Sequence, residues 1–208
     1  MTKIVLTGDL QQVFFPPQLR NSSSFYLRKL SNYNFGINDA SLKNSTMYQW
    51  NETLAHRGAN EICSCLYKYV TTHFGVLQNG QKRDLVIWTD RCVGQNNNIF
   101  LLLTMMKLVR QKIITSFNHK LFLTGHSYND CDRDFSQLEK KQRVYTVLIP
   151  AELENVIRES RVDNPFNMVW MTQNDFFDFK QLLNFLEGLL LYKLRSITGF
   201  SMMLYKIQ

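Results

Sequence analysis

The chain has 208 residues, of which 45% are hydrophobic and 20% charged. A chain of this length and composition builds a packed domain and is not a disordered tail. Lysine and arginine number 24 against 17 aspartate and glutamate, so the formal net charge is +7. This balance favours polyanionic partners such as nucleic acid, although charge alone leaves an ordinary basic protein equally open.

Signals for secretion or membrane insertion are missing from the sequence. The amino terminus reaches Asp9 too early to contain the apolar core of a secretory signal. The most apolar stretch, residues 182–194, is interrupted by Glu187 and Lys193 and is too short to span a bilayer. The 4 cysteines form no C-x-x-C pair, which argues against a structural zinc site. We therefore expect a nuclear or cytoplasmic protein that is neither secreted nor bound to a membrane.

Hydrophobic periodicity predicts three strands first, then helices that alternate with strands, and finally a helical tail. The strands are predicted at residues 3–15, 24–34, 47–54, 84–90 and 120–124, with a last one at 200–207. The helices are predicted at residues 59–73, 97–111, 135–144, 151–161 and 175–194, and a turn at 36–39. This order predicts an α/β fold with a mixed sheet, antiparallel on one side and parallel on the other.

Three acidic residues occupy unusual places in the predicted strands. Asp9 interrupts an apolar strand, Asp90 ends a strand that is apolar throughout, and Asp132 lies just after the next strand. Carboxylates that converge repel one another and are natural ligands for Mg²⁺ or Mn²⁺. Two such ions about 4 Å apart can activate water and stabilise a leaving phosphate oxygen. The residues alone leave open the more frequent alternative, in which such acids cap helices or are solvated.

Short motifs spread over most of the chain resemble those of a family of transposon-derived proteins. They are Gly8-Asp9-Leu10-Gln11-Gln12, Lys29-Leu30-Ser31-Asn32-Tyr33-Asn34, Trp50-Asn51-Glu52, Thr89-Asp90-Arg91-Cys92-Val93-Gly94-Gln95-Asn96, Gly125-His126-Ser127, Asp132-Arg133-Asp134-Phe135 and Asn164-Pro165-Phe166. In this order they are similar to a poorly characterised domain-of-unknown-function family related to DDE-type transposases. The resemblance implies a ribonuclease H-like core over residues 1–160, with a five-stranded mixed sheet and helices on both faces. Residues 161–208 would form a C-terminal helical extension packed on that core.

The same resemblance implies a metal-dependent DNA nuclease or strand transferase. Asp9, Asp90 and Asp132 would be the catalytic residues and would bind two Mg²⁺ or Mn²⁺ ions, with Asp9 and Asp90 on adjacent strands. Asp134 and Glu139 compete with Asp132 for the third place. Glu139 is the stronger rival because a spacing of seven residues places it on the same helix face as Asp132, whereas Asp134 points about 200° away.

Further candidates surround these acids. Glu52 is a candidate fourth acid, and a salt bridge to Arg57 is its equally open alternative. His126 is a candidate for positioning water or phosphate, although a structural hydrogen bond is the more frequent role. The candidate DNA contacts are basic or amide side chains: Gln95, Asn96, Lys107, Arg110, Lys112 and Arg133. For the basic ones, a solvated helix face is the alternative.

Two positions depart from the family pattern. Arg91 stands where the pattern has Asn, and Asn97 stands where it has Lys. The chain also begins close to the first catalytic strand, without the Cys-rich upstream segment of the family. These differences keep a second interpretation open, a catalytically inactive remnant that keeps the fold and binds nucleic acid or protein. DNA is the expected partner of the active form, and a homodimer is left open.

Overall fold

The computed structural model describes residues 2–16, 28–92, 94–95, 98–123 and 129–185. Two compact units are present, Met1–Phe177 and Asp178–Gln208. The strands of the first unit are β1 (Thr2–Leu10), β2 (Asn32–Asp39), β3 (Asn44–Asn51), β4 (Arg83–Thr89), β5 (Ser116–Leu121) and β6 (Asn167–Trp170). Its helices are α1 (Ala59–His73), α2 (Ile99–Arg110), α3 (Asp130–Val144) and α4 (Leu153–Glu159), with short 3-10 turns at Pro150–Glu152 and Gln173–Asp175. In the second unit, the described residues 179–185 are helical.

The strands form one mixed sheet in the order β5-β4-β1-β2-β3-β6. β2 runs antiparallel to β1 and β3, whereas β4 pairs in parallel with both β1 and β5. The predicted α/β fold with a mixed sheet is therefore confirmed, although the parallel pairing of β6 with β3 means that its antiparallel part lies between two parallel parts. The resemblance implied a five-stranded sheet, and the described sheet has a sixth strand: β6, from the segment assigned to the extension, pairs in parallel with β3. Its 4 residues are too few for alternating hydrophobicity to reveal a strand.

Helices cover both faces of the sheet, and β2 shows which helix lies on which face. Successive residues of a strand point to opposite faces. Asp39 accepts a hydrogen bond from the hydroxyl of Tyr69 in α1 at 2.9 Å. Gly36, which points the other way, lies against Phe135 of α3. We call these sides the α1 face and the α3 face; α2 packs beside α1, and α4 packs beside α3.

The predicted turn at residues 36–39 is wrong, because these residues belong to β2. Glycine, asparagine and aspartate favour turns when only local sequence is considered. In the fold, a Cβ atom on Gly36 would lie 2.8 Å from Cε1 of Phe135, so the close approach of α3 requires glycine. Asn38 is held in the strand by its hydrogen bond to Ser45 Oγ at 2.9 Å. Tertiary contacts therefore override the local preference.

Other boundaries differ where the local pattern is polar. α3 begins at Asp130, five residues before the predicted start at 135, because its first turn carries charged side chains and no hydrophobic repeat. α1 begins and ends at the predicted residues. The predicted strand at 200–207, and the predicted helical tail beyond residue 185, lie outside the described residues. Within the described ranges, the structure has no helix of the length and apolar character that crossing a bilayer requires.

Candidate functional site

Asp9 lies at the carboxyl end of β1, one residue before the strand ends. It shares a face with Thr7 and is level with Gly36 of β2, so its side chain is on the α3 face. β1 and β4 pair in parallel with Thr7 opposite Trp88. Extending this register by two residues places Asp9 beside Asp90, which directly follows β4. Adjacent strands lie about 4.8 Å apart, so Asp9 and Asp90 lie at the same end of the two adjacent strands, and the charge of Asp90 acts on Asp9.

Asp132 is in the first turn of α3, and Asn129 connects it to Asp9. The backbone N–H of Asn129 donates to Asp132 Oδ2 at 2.8 Å, and Asn129 Oδ1 accepts from the N–H groups of Cys131 at 2.7 Å and Asp132 at 3.2 Å. These bonds form a capping box at the start of the helix. Asn129 Nδ2 also donates to Asp9 Oδ2 at 3.3 Å. One buried asparagine therefore fixes both the start of α3 and the orientation of Asp9.

The electrostatic environment of Asp9 is unfavourable to its charge. Burial above all, together with the negative charges of Asp132 and Asp90, raises the pKa of Asp9 from its ordinary 3.8 to about 6. Hydrogen bonds from Leu10 N–H and from Asn129 oppose this rise. Near pH 6, the carboxyl group of Asp9 is therefore protonated in part of the molecules. A cation placed among the three acids would relieve their repulsion.

The three acids have the right ligand atoms for a hard divalent cation, but they are not arranged around one common position. All their donors are carboxylate oxygens, the ligands that Mg²⁺ and Mn²⁺ prefer. In the part of the chain that the structure describes, however, no three His, Cys, Asp or Glu side chains are already grouped to hold a metal ion. Asp132 uses Oδ2 in the capping box. Asp9 and Asp90 would therefore form the base of the site, and Asp132 would join after it leaves its cap.

The two rivals of Asp132 lie elsewhere. Asp134 is only 1% exposed, and its Oδ2 accepts from Ser45 Oγ at 2.5 Å and from Asn38 Nδ2 at 3.2 Å. It therefore ties α3 to the antiparallel half of the sheet. Glu139 lies further along α3 and lines an open groove of about 250 Å³ beyond the end of β1, together with Gln12. Neither side chain contacts Asp9 in the described hydrogen bonds.

Glu52 is not beside the acids. Met47 of β3 is level with Gly36 and hence with Asp9. Glu52 is five residues beyond Met47, which is about 16 Å along the strand direction. It accepts a hydrogen bond from Ser31 Oγ at 3.0 Å. Its described ion pair is with Arg28, at 3.6 Å, and not with Arg57.

Three of the candidate DNA contacts are far from Asp9. Lys107 lies on the α1 face, with Nζ 4.6 Å from the ring centre of Tyr67 and 4.2 Å from that of Phe177, and burial lowers its pKa. α2 starts near Asp90 and extends about 18 Å away from it. Arg110 and Lys112, at its far end, therefore lie near the opposite ends of the strands, where β5 begins.

The remaining candidates lie closer to Asp90 or to α3. Gln95 follows Asp90, and its N–H donates to the carbonyl oxygen of Cys92 at 3.1 Å. Arg133 is on the first turn of α3, where it forms an ion pair with Asp130 at 2.9 Å. Asn96 and His126 lie outside the described residues. The structure thus brings Arg133 into the neighbourhood of Asp9 but not Lys107, Arg110 or Lys112.

Sequence reasoning missed Asn129 as a site residue. The signal was present, since Asn129 and Asp132 have the three-residue spacing of a capping box. With α3 predicted to begin at residue 135, however, Asn129 fell in a loop. Trp88 was noted only as part of an apolar strand, although its partly exposed ring is on the same face as Thr7.

The comparisons with known proteins give a family and no relative of known activity. No curated protein and no solved structure matches the sequence. The family model described as "Domain of unknown function (DUF7869)" matches residues 27–195, a range that contains Asp90 and Asp132 and follows Asp9. Because this match spans most of the 208 residues, the chain belongs to the DUF7869 family of domains of unknown function.

Proposed function

We propose that this chain is a metal-dependent DNA nuclease or strand transferase with a ribonuclease H-like fold, derived from a DDE-type transposase. The element order β-β-β-α-β-α-β-α supports this proposal, because it is the order expected of that fold. The position of Asp132 supports it as well. In that fold, the third acid enters at or near the start of the last core helix, and Asp132 lies in the first turn of α3.

The observation that carries the proposal is the pairing of Asp9 and Asp90 at the carboxyl ends of two central parallel strands. A pair of acids held side by side, with the pKa of one raised to about 6, destabilises a metal-free protein near neutral pH. Such an arrangement is typical of functional sites. Carboxylates that repel one another bind divalent cations well, because each cation removes the repulsion.

The residues would divide the work as follows. When bound, two divalent cations activate the attacking oxygen and stabilise the leaving oxygen of a phosphodiester. Asp9 and Asp90 would hold the cations at the carboxyl ends of the parallel strands, and Asp132 would complete the set from α3. Asn129 keeps the Asp9 carboxylate oriented through its hydrogen bond at 3.3 Å. The net charge of +7 favours DNA as the substrate, with affinity that falls as salt is added.

Calorimetry with Mn²⁺, combined with cleavage of labelled DNA, tests the proposal. Wild-type protein should bind Mn²⁺ and cleave DNA, and Asp9→Asn, Asp90→Asn and Asp132→Asn should each abolish both. Asp163→Asn is the matched control, since Asp163 is an exposed acid outside the site and its removal should change neither. The proposal fails if wild-type protein binds no Mn²⁺, or if the three site variants bind it as wild type does. If Glu139→Gln abolishes binding and Asp132→Asn does not, Glu139 is the third acid.

A second candidate function is a catalytically inactive domain that binds nucleic acid. The engagement of Asp132 in its own helix cap favours it, as does the lack of a preformed metal-binding group within the described residues. In this case, DNA binding at about 50 mM salt should persist in EDTA and in the Asp9→Asn variant, without cleavage in Mn²⁺. Binding that requires a divalent ion would exclude this candidate.

A further inference from the structure

An open groove of about 340 Å³ lies on the α3 face beside the three acids. Its lining includes Thr7 and Trp88 of the sheet, Phe122, and Asn129, Asp130 and Arg133 at the start of α3. Thr7 is two residues before Asp9 on the same face of β1, and Asn129 donates directly to Asp9. The groove therefore opens next to the carboxylates.

Two stacked aromatic rings dominate the described walls. The ring centres of Trp88 and Phe122 are 5.2 Å apart with an interplanar angle of 26°, and both side chains are half-buried. Lys120 is opposite Trp88 in the β4–β5 pairing, and its Nζ lies 5.0 Å from the centre of the Trp88 ring. A positive charge thus lies next to a partly exposed aromatic surface.

Arg133 adds a second positive charge to the lining of the groove. The guanidinium group of Arg133 pairs with Asp130 at 2.9 Å, yet 56% of its side chain stays exposed. It therefore keeps donors that can reach an anion in the groove. Aromatic rings flanked by Lys and Arg have the composition of sites that stack unpaired bases and hold the adjoining phosphates. A base inside a duplex has both of its faces covered and cannot stack in this way.

We propose that this groove binds an unpaired nucleotide of the DNA strand next to the Asp9 site. The base stacks on Trp88 and Phe122, and the adjoining phosphates contact Lys120 and Arg133. This inference rests on the proposed function, since it takes DNA as the substrate. It adds that the strand beside the acids is unpaired, as it would be at a frayed, nicked or single-stranded position.

Fluorescence anisotropy with labelled oligothymidine of about ten nucleotides, and with a duplex of the same length, tests the proposal. EDTA removes divalent ions, so binding is measured apart from catalysis. The single strand should bind more tightly than the duplex. Trp88→Ala should weaken single-strand binding about 5- to 150-fold, as expected for the loss of base stacking. Trp170→Ala is the matched control, since Trp170 is also half-buried but lies on β6 at the far edge of the sheet.

Two further variants keep the test decisive if Trp88→Ala folds poorly. Wild-type tryptophan fluorescence should be quenched by the oligonucleotide. Trp88→Phe retains a ring, so it should still bind the oligonucleotide but should lose the quenching that comes from Trp88. Lys120→Gln should reduce the salt dependence of binding by about one phosphate contact. Lys82→Gln should not, because Lys82 is an exposed residue that precedes β4 at the other end of the strand.

Two results would overturn the proposal that the groove binds an unpaired nucleotide. One is duplex binding as tight as single-strand binding, and the other is unchanged oligonucleotide quenching in Trp88→Phe. Neither result bears on Mn²⁺ binding by the acids. Conversely, absent Mn²⁺ binding with retained, Trp88-dependent oligonucleotide binding would overturn the nuclease proposal and leave the groove intact.

Discussion

Asp9 of β1 and Asp134 of α3 are two carboxylates between the sheet and α3, yet their surroundings differ. Asp134 receives hydrogen bonds from Ser45 and Asn38, and Nη1 of Arg161 lies 3.6 Å from its other oxygen. Asp9 receives two hydrogen bonds but lies among other acids, and its pKa is raised to about 6. Removing a buried carboxylate that is surrounded by donors leaves those donors unpaired and lowers stability. A carboxylate left among like charges lowers stability itself and is typical of a functional site.

The largest expected effect follows from removing the stabilising carboxylate. Asp134→Ala leaves Arg161 without its ion pair and two buried donors without their acceptor, and should lower the free energy of unfolding by about 3–5 kcal/mol. Urea denaturation measures this loss. Asp163→Ala, an exposed acid, should change stability by less than about 0.5 kcal/mol. A loss below about 1 kcal/mol for Asp134→Ala would show that Asp134 is not the structural partner described above.

The opposite sign is expected for Asp9. A carboxyl group whose pKa is higher in the folded than in the unfolded protein makes folding less favourable as pH rises from 3.8 to about 6. The difference between the two pKa values corresponds to about 3 kcal/mol of folding free energy, which wild-type protein loses above about pH 6. Replacing Asp9 by Asn removes this loss but costs about 1 kcal/mol in hydrogen bonding. Asp9→Asn should therefore stabilise the metal-free protein by about 1–2 kcal/mol near pH 7.5.

The pH dependence separates this effect from ordinary repacking. Below about pH 3, wild-type Asp9 is protonated in both the folded and the unfolded state, so the advantage of Asp9→Asn should disappear. Urea denaturation at both pH values, with Asp163→Asn as the control for loss of one surface charge, measures the difference. Destabilisation by Asp9→Asn at both pH values would place Asp9 in the same structural class as Asp134.

Helix geometry let the sequence predict that Asp132 and Asp134 have different roles, but not which partners Asp134 has. An angle of about 200° between Asp132 and Asp134 was predictable, and the structure agrees, since one caps α3 and the other contacts β2 and β3. The partners Asn38 and Ser45 were not predictable. Asn38 and Ser45 are 96 and 89 residues away from Asp134 in sequence. Moreover, adjacent polar residues inside a strand, such as Asn38 and Asp39, have the same local pattern as a turn.

The smallest expected effect on stability concerns Asn129, which forms hydrogen bonds with both Asp9 and Asp132. Asn129→Ala removes the cap of α3, which should cost about 1 kcal/mol, and removes a hydrogen bond that lowers the pKa of Asp9. Asn98→Ala is the matched control, because Asn98 caps α2 in the same way by accepting from Phe100 and Leu101. Both variants should lose similar stability, but only Asn129→Ala should raise the pKa of Asp9, as followed by NMR.

The basic residues show a different limit of sequence reasoning. Lys107 has the spacing of an exposed helix edge, and its contacts with Tyr67 and Phe177 depend on how α2 packs against other segments. Arg133 was a candidate from the same reasoning, and the structure places it near the acids because α3 starts there. Local periodicity predicts which face of a helix is polar, but not which end of the sheet that face reaches.

The measurement that tests the central claim most directly is an NMR titration of the Asp9 side-chain carboxyl carbon, without metal and with Mg²⁺. Without metal, Asp9 should titrate with a pKa of about 6. Mg²⁺ should lower that pKa and shift the resonance, while the resonance of Asp134 stays where it was. A pKa of Asp9 near its ordinary 3.8, or one near 6 that does not respond to Mg²⁺, would contradict a metal site at the ends of β1 and β4.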